Sequence, residues 1–319
     1  MGRVLITGVT GGLGHALSKA LIDRRYRIVG IAKHRPPDGT DPLEEFIAAD
    51  IAEIDWDRAL RGCETVFHLA GYVHRSIATE SDRVVAWRTN VDATARLASA
   101  CRRHRIRLVF ASSVAALQYS TSESGQKNAS EYARTKWWAE HQVRAEADRG
   151  LEFVILRFPL LYGPGGRGNM ERLMRAIHRR RYWPFGAGSA KKSCLFFGDA
   201  AQAMVRASQA AGALCGTYVV APPVPATLEQ IHRHAFAAFG RRSPPPLPLP
   251  VVTTATRIVD AVSPYLIGRP TSLTASAKTL ASDAAFDGSA FAKACGFKPA
   301  VALAEGLKTT ADWIRGIHA

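Results

Sequence analysis

The 319-residue sequence is poor in cysteine and poor in negative charge. Its five cysteines (Cys63, Cys101, Cys194, Cys215, Cys295) are scattered, with no Cys-x-x-Cys and no metal-ligand spacing. That set excludes a disulfide scaffold and a structural zinc site. It reads as reduced, buried thiols of a cytoplasmic protein. No apolar run reaches the ~18 residues that span a bilayer, so no integral membrane segment is expected. Met1 to Thr7 enters a strand at once, with no charged stretch leading into an apolar one, so no secretory leader is expected. Acidic residues number 27 against 42 Lys and Arg, giving a formal charge of +15 and a pI near 10.0. The imbalance points to an anionic partner (nucleotide phosphate, nucleic acid or a membrane surface) or to a solvated basic face. No aromatic-rich basic groove or nucleic-acid motif accompanies it, so no nucleic-acid partner is expected. There is no internal repeat, and low complexity is confined to the proline run Ser243 to Pro250, an extended connector.

What is present begins with a strand, a glycine turn and a helix. Val4 to Thr7 is a short apolar run, the mark of a buried parallel strand. Gly8, Gly11 and Gly14 follow as G-x-x-G-x-x-G, with Gly12 and Leu13 opening an amphipathic helix that runs to about Arg24. Glycines here permit a tight turn and let the backbone approach a pyrophosphate, while the helix N-terminus offers N–H groups and a positive dipole end. Arg27 to Ala32 is the next strand. Where dinucleotide-binding sheets often carry an acid for the ribose hydroxyl, this chain has Ala32 and then Lys33-His34-Arg35. Two cations and no carboxylate suit a 2′-phosphate, so NADP is favoured over NAD.

Phe46 to Ile51 reads as a third strand, with Asp50 and Ile51 at its end and Asp50 placed for an adenine amino group. Thr65 to Ala70 is a fourth, ending at Gly71; Leu69, Ala70 and Gly71 are small or apolar enough for a cofactor to lie close. His68 reads as a packed strand histidine. Val84 to His104 has helical periodicity and contains Asn90. Ile106 to Ala111 is a fifth strand running into Ser112 and Ser113. Tyr132 follows nineteen residues later, on a helix that also carries Lys136. Four residues apart, Tyr132 and Lys136 share one helix face. A fixed cation beside a phenol favours the phenolate. Ser113 would hold a substrate oxygen, Tyr132 would move the proton, and Lys136 would lower the Tyr132 pKa and hold the nicotinamide ribose.

Taken together, Thr7-Gly8-x-x-Gly11-x-x-Gly14, Asp50-Ile51, His68 to Gly71, Asn90-Val91, Ser112-Ser113, Tyr132-x-x-x-Lys136 and Leu156 to Gly165 resemble the extended short-chain dehydrogenase/reductase family. The resemblance covers roughly residues 1–165. It implies an α/β, Rossmann-like doubly wound parallel sheet with a smaller C-terminal α/β substrate lobe. The expected division is 1–165 for the dinucleotide-binding domain and 166–319 mainly for the lobe, with a strand near 217–221 returning to the main sheet. Phe158 and Pro159 join the cofactor residues. The remainder resembles the sugar-nucleotide branch through Gly168 to Met170, Pro184 to Gly188 and Lys191 to Ala200. That likeness implies that Asn169, Phe185 and Lys192 flank the substrate nucleotide, Lys192 standing where the branch usually has Arg. No metal is expected. A homodimer through the helices beside the active site is.

Three departures limit the likeness. The serine-to-tyrosine gap is short, so the covering loop at 114–131 is trimmed. Val114-Ala115-Ala116 follows Ser113, with no Asp-Glu pair for a dehydratase. Leu160 stands where many relatives place Asn. The leading expectation is an NADP-preferring 4-keto reductase of a nucleotide-diphosphate sugar in surface-polysaccharide synthesis. A 4-epimerase with tightly bound NAD, a steroid-like or aldehyde reductase, and a catalytically silent nucleotide-sensing subunit are the alternatives. Two further stretches stand out. Arg167 to Trp183 reads as a basic helix that could steer an anionic nucleotide. Val251 to Val262 reads as an apolar core helix, with a membrane-surface or dimer contact as the sharper alternative.

Overall fold

The computed structural model describes residues 2–35, 43–73, 77, 79–120, 129–210, 214–267 and 273–317. Seven parallel strands make one sheet: β1 (Arg3–Thr7), β2 (Arg27–Ala32), β3 (Glu45–Ala48), β4 (Thr65–His68), β5 (Arg107–Ser113), β6 (Phe153–Phe158) and β10 (Gly216–Val219). Their order is β10-β6-β5-β4-β1-β2-β3. All pairings are parallel. The central strands read as continuous apolar runs because helices cover both faces. One cluster, with Ile6, Leu17, Phe67 and Met204, fills one side of the sheet. A second, with Leu5, Leu97, Phe110 and Val143, fills the other.

Strand order reverses between β1 and β4. At such a point two neighbouring loops leave in opposite directions and open a crevice at the carboxyl ends of the strands. Helix α1 (Gly12–Ile22) leaves β1 on one side of it. Across it, α3 (Glu80–Trp87) and α4 (Ala93–Arg103) follow β4, and α6 (Glu131–Ala147) follows β5.

The helix expected over Val84 to His104 is interrupted by one wider π turn, Arg88–Asp92. The widening disturbs the backbone ladder, and Thr94 Oγ1 donates to Asn90 O at 2.7 Å. The third strand stops at Ala48, short of the expected Asp50, because Asp50 turns back to accept from Ala52 N at 3.0 Å. The basic helix is shorter than expected: α7 spans Asn169–His178 and ends where Arg180 adopts a left-handed backbone, φ 58°.

A third apolar cluster, including Met174, Ile231, Phe236, Leu307 and Ile314, forms the core of the C-terminal lobe. The lobe carries α9 (Leu228–Ala238), α10 (Leu249–Ile267), α11 (Leu273–Ala281) and α13 (Leu303–Ile317). Residues after 165 also complete the seven-stranded half: β10 extends its sheet and α8 (Phe197–Gln209) packs on α1.

Two expectations are corrected. The apolar stretch after Val251 is not a core helix: from Leu249 to Ala261 no residue of α10 is buried. Its packing partner is α11, one short helix, which leaves its other face in solvent. The cysteines are all free, but only Cys63 and Cys101 are buried; Cys194 and Cys295 are half-buried and Cys215 is exposed.

Candidate active site

The glycine turn after β1 is built for close approach. Gly8 sits at φ 73°, and a Cβ there would lie 2.9 Å from Ala70 N. A Cβ on Gly12 would come within 2.4 Å of the Phe197 ring, from the far half of the chain. Gly11 caps α1 without a side chain, so no side-chain oxygen competes for the N–H groups of the first turn. That narrow cradle, facing a helix N-terminus, fits a diphosphate. Leu13 and Gly14 continue it into the helix, Gly14 buried.

On the far side of the crevice, buried polar groups hold the strand ends. Thr7 Oγ1 accepts from Leu69 N and Ala70 N, both at 3.1 Å. Its proton therefore goes to His68 Nδ1 at 2.7 Å. His68 Nε2 then donates to Thr94 Oγ1 at 2.9 Å, since the Thr94 proton is committed to Asn90 O. Both ring nitrogens of His68 are thus used, and burial pushes its pKa down to about 3. It is a neutral brace, as its place in the strand implied. Asn90 is buried too. Its Oδ1 accepts from Tyr72 N at 2.6 Å and its Nδ2 donates to Thr135 Oγ1 at 3.0 Å. The strand expected to run to Ala70 stops at His68, and Asn90 ties the loop that follows it to α6.

Helix α6 starts at Ser130, whose side chain caps Ala133 N, and presents Tyr132, Lys136 and Glu140 at four-residue intervals on one stripe. Tyr132 lies within hydrogen-bonding reach of Ser113, at the end of β5. Burial raises the Tyr132 phenol to about 12, the Ser113 hydrogen bond opposing it. Lys136 Nζ donates to Ala111 O at 3.0 Å and stands 4.9 Å over the Phe110 ring. Burial lowers its pKa to about 8, against the attraction of Glu140. The expected depression of the Tyr132 pKa by Lys136 is not found. Here the group that opposes burial at Tyr132 is Ser113, because the Lys136 ammonium is turned to the β5 carbonyl.

Glu140 carries the site from below, and sequence reasoning gave it no role. Fully buried, it accepts from Ser112 Oγ at 2.6 Å, from Arg157 at 2.9 and 2.6 Å, and from Arg144 at 2.7 Å. Burial alone would raise its pKa, but the Arg157, Ser112 and Arg144 contacts outweigh that and hold it below the ordinary range. The repeated spacing from Tyr132 to Glu140 was a visible signal. What it lacked was Arg157 on β6, brought next to β5 by parallel pairing of Ser112 with Arg157.

The remaining candidates divide. Ile51, Phe158 and Pro159 are buried beside the sheet. Lys33 Nζ lies 2.8 Å from Asp50 Oδ2, so one of the two cations after β2 already has a carboxylate partner. Arg35 is exposed, 5.7 Å over the Phe46 ring. Asn169 opens α7 and is exposed. Phe185 lines a cleft of about 230 Å³ in the C-terminal lobe, with Gly186, His232, Arg233, Ser243 and Pro246; neither Ser113 nor Tyr132 lines it. Lys192 Nζ donates to Thr279 O at 3.0 Å and Ser282 O at 2.5 Å, closing the end of α11. Most of the covering loop, 121–128, lies outside the described residues.

A family model described as the NAD dependent epimerase/dehydratase family matches residues 4–221. The 2-alkyl-3-oxoalkanoate reductase of Stenotrophomonas maltophilia (strain K279a) is 28% identical over 257 residues, covering 75% of this chain and 76% of that protein. The UDP-glucose 4-epimerase of Vibrio cholerae is 30% identical over 203 residues, 60% and 62% of the two chains. Among solved structures, MoeE5 in complex with UDP-glucose and NAD matches with a TM-score of 0.75 and 25% identity over 100% of both chains. The UDP-glucuronic acid 4-epimerase from Bacillus cereus in complex with NAD shares the fold at a TM-score of 0.76 and 20% identity, over 99% of this chain and 100% of that one.

Proposed function

The chain belongs to the NAD dependent epimerase/dehydratase family, and from that premise we propose that it reduces a ketone to a carbinol, with Tyr132 as the proton donor. The observation that carries this is the placement of Tyr132, beside Ser113 at the end of β5 and one turn from Lys136 on α6. The phenol is protonated at neutral pH and can give its proton to a carbonyl oxygen held there. Ser113 holds that oxygen. Lys136, one turn further along α6, holds the ribose of the cofactor. A dinucleotide bound in the crevice supplies the hydride. Gly8, Gly11, Gly12, Leu13 and Gly14 hold its diphosphate, Asp50 and Ile51 its adenine, and Leu69, Ala70, Gly71, Asn90, Ser112, Phe158 and Pro159 the strand-end wall. NADP is preferred in this reading because Ala32 offers no carboxylate and Arg35 is exposed. NAD is the alternative, since Lys33 is paired.

For the substrate we favour a 4-keto nucleotide-diphosphate sugar of surface-polysaccharide synthesis. The support is likeness over whole chains to a protein in complex with UDP-glucose and NAD; Asn169 and Phe185 are the residues this reading assigns to the nucleotide. A homodimer through α3 and α6 belongs to this reading; Val84 and Val85 are exposed beside the Trp87–Trp138 ring contact.

A second reading, a reductase of an apolar 3-oxo substrate, is favoured by one observation. The Lys192 ammonium is engaged by two carbonyls of the chain itself. One experiment separates the readings: purified protein is offered NADPH or NADH with a 4-keto sugar nucleotide, with UDP-glucose, and with a 2-alkyl-3-oxoalkanoate. Stoichiometric oxidation of NADPH by the keto sugar is the expected result. Isomerisation of UDP-glucose without net cofactor turnover would sink the reductase. Reduction of the oxo acid alone would move the assignment to the second reading.

A further inference from the structure

Helix α10 is built inside out. Val251, Ala255, Ile258 and Val259 fall on one face by helical spacing, and that face is in solvent: Val251 is 57% and Ile258 62% exposed. Its polar residues turn the other way. Asp260 accepts from Leu273 N and Thr274 N, each at 2.9 Å, and Thr256 Oγ1 accepts from Thr274 Oγ1 at 3.1 Å. A water-facing helix normally has the opposite arrangement, and contiguous exposed apolar area marks a binding surface.

The apolar face is extended at its N-terminal end. Gly186 N donates to Leu247 O and Leu247 N to Pro184 O, both at 2.9 Å, and Trp183 Nε1 donates to Pro245 O at 2.8 Å. These bonds bring two exposed apolar residues, Trp183 (52% exposed) and Leu247, to the start of α10. The same pairing joins two stretches with no carboxylate. Arg172 to Gly198 holds seven Arg and Lys, and Gln230 to Val259 holds four, with no Asp or Glu in either. Arg179, Arg180, Arg181, Arg242 and Arg257 are exposed, and Arg241 bonds Ile177 O at 2.7 Å, seating Arg242 beside the end of α7.

We propose that this face, α10 with Trp183 and Leu247 flanked by Arg179–Arg181 and Arg242, docks the enzyme on an anionic phospholipid surface. Val251, Ile258 and Val259 enter the headgroup–acyl boundary, Trp183 sits at that boundary, and the arginines meet lipid phosphates. Charge decides the occupant. A second copy on the same patch would set one arginine-rich surface against another, an arrangement disfavoured by like-charge repulsion. Nucleic acid would satisfy the arginines but leave the aliphatic stripe wet, since single strands are held by stacked aromatics. An anionic bilayer satisfies both halves. No helix among the described residues is long and apolar enough to cross a membrane, so contact is along the surface.

The test is co-sedimentation of the full chain with vesicles of phosphatidylcholine alone and of phosphatidylcholine mixed with phosphatidylglycerol. It reads no catalysis, so it fails or succeeds independently of the reductase assignment. Sedimentation with the anionic vesicles, weakened by salt, is expected. Val251→Asp with Ile258→Asp lowers the partition coefficient at least about a hundredfold. Arg179→Glu with Arg181→Glu lowers it at least about tenfold. All these residues are exposed, and circular dichroism checks that the variants remain folded. Failure of the wild-type chain to sediment with anionic vesicles at low salt overturns the proposal. So does binding that survives the two aspartates, or binding to duplex DNA without binding to vesicles.

Discussion

Glu140 and Arg157 face each other beneath Tyr132 and Lys136 as a two-contact ion pair, Nε to Oε1 at 2.9 Å and Nη2 to Oε2 at 2.6 Å. The pair joins α6 to β6, and Ser112 joins the same carboxylate to β5. Tyr132 and Lys136 ride on the helix so anchored. Their position relative to Ser113 follows from a contact buried beneath them.

Removing one partner of a buried pair leaves the other charge unpaired, which costs about 3–5 kcal/mol. Glu140→Ala is therefore expected to lower unfolding free energy by that amount in urea titrations, and Glu140→Gln by less, since one acceptor remains. The acid response follows from the sign of the shift. Burial would raise the Glu140 carboxyl, the arginines win, and it stays below its ordinary value of 4.5. A depressed carboxyl contributes stability that is full above the unfolded pKa and is lost as pH falls through the folded one. The wild-type advantage over Glu140→Gln should be present at pH 7 and shrink below about pH 4.5. An advantage unchanged at pH 3 would show that the Glu140 carboxyl is not depressed in the fold.

Lys136 works in the opposite sense. Its ammonium is buried with one carbonyl acceptor, Ala111 O, and burial brings its pKa down to about 8 from 10.5. A lysine depressed in the fold binds fewer protons there than in the unfolded chain between those two values. Stability therefore rises with pH across that window, and the full penalty applies below pH 8. Lys136→Met is expected to stabilise the cofactor-free protein by on the order of 1–3 kcal/mol at pH 7 while abolishing turnover. The gain should fade between pH 8 and 10.5, the folded and unfolded values. Thermal melts across that range, wild type against variant, read it directly. A variant less stable at pH 7 would mean that Lys136 is held by more than the β5 carbonyl.

Much of this site was legible because its signals are local. Gly8 to Gly14, Ser112-Ser113 and Tyr132 with Lys136 each lie within a few residues, and strand–turn–helix context sets their orientation. Gly12 against Phe197 was not legible, since the ring arrives from a helix far along the chain. Neither was Lys33 with Asp50, where two strands of separate reading end side by side. The helix after Val251 misled for a physical reason. Hydrophobicity says that a face leaves water, and the sequence alone does not say whether it enters this protein's core or another phase. Lys192 was placed at the substrate by likeness, and its local bonds to Thr279 O and Ser282 O give it a structural task that spacing does not reveal.

Tyr132→Phe removes one oxygen from the centre of the proposed chemistry. Without a proton donor, kcat is expected to fall by about 10²–10⁴-fold. Dinucleotide affinity should be nearly unchanged, because Gly8 to Gly14 and Lys136 remain. Stopped-flow hydride transfer and a fluorescence titration with NADPH measure the two effects separately. Equal loss of binding and turnover would mean that the phenol positions cofactor and is not the acid.

The Lys33–Asp50 contact offers a test of cofactor choice. Asp50 Oδ2 holds Lys33 at 2.8 Å, while Oδ1 accepts from Ala52 N at 3.0 Å. Asp50→Asn keeps the turn, since its amide oxygen can take the Ala52 bond, but withdraws the charge that holds Lys33. In the proposed NADP reading the released ammonium turns to the 2′-phosphate beside Arg35. The KM for NADPH should then fall about two- to fivefold relative to that for NADH, the scale of an exposed ion pair, since any change at the shared adenine affects both cofactors alike. Lys33→Ala should raise the NADPH value and abolish the gain of Asp50→Asn in the double variant. If Asp50→Asn instead raises both KM values together, the carboxylate is contacting the adenine that both cofactors share, and Lys33 serves to hold Asp50 in place rather than to read the phosphate.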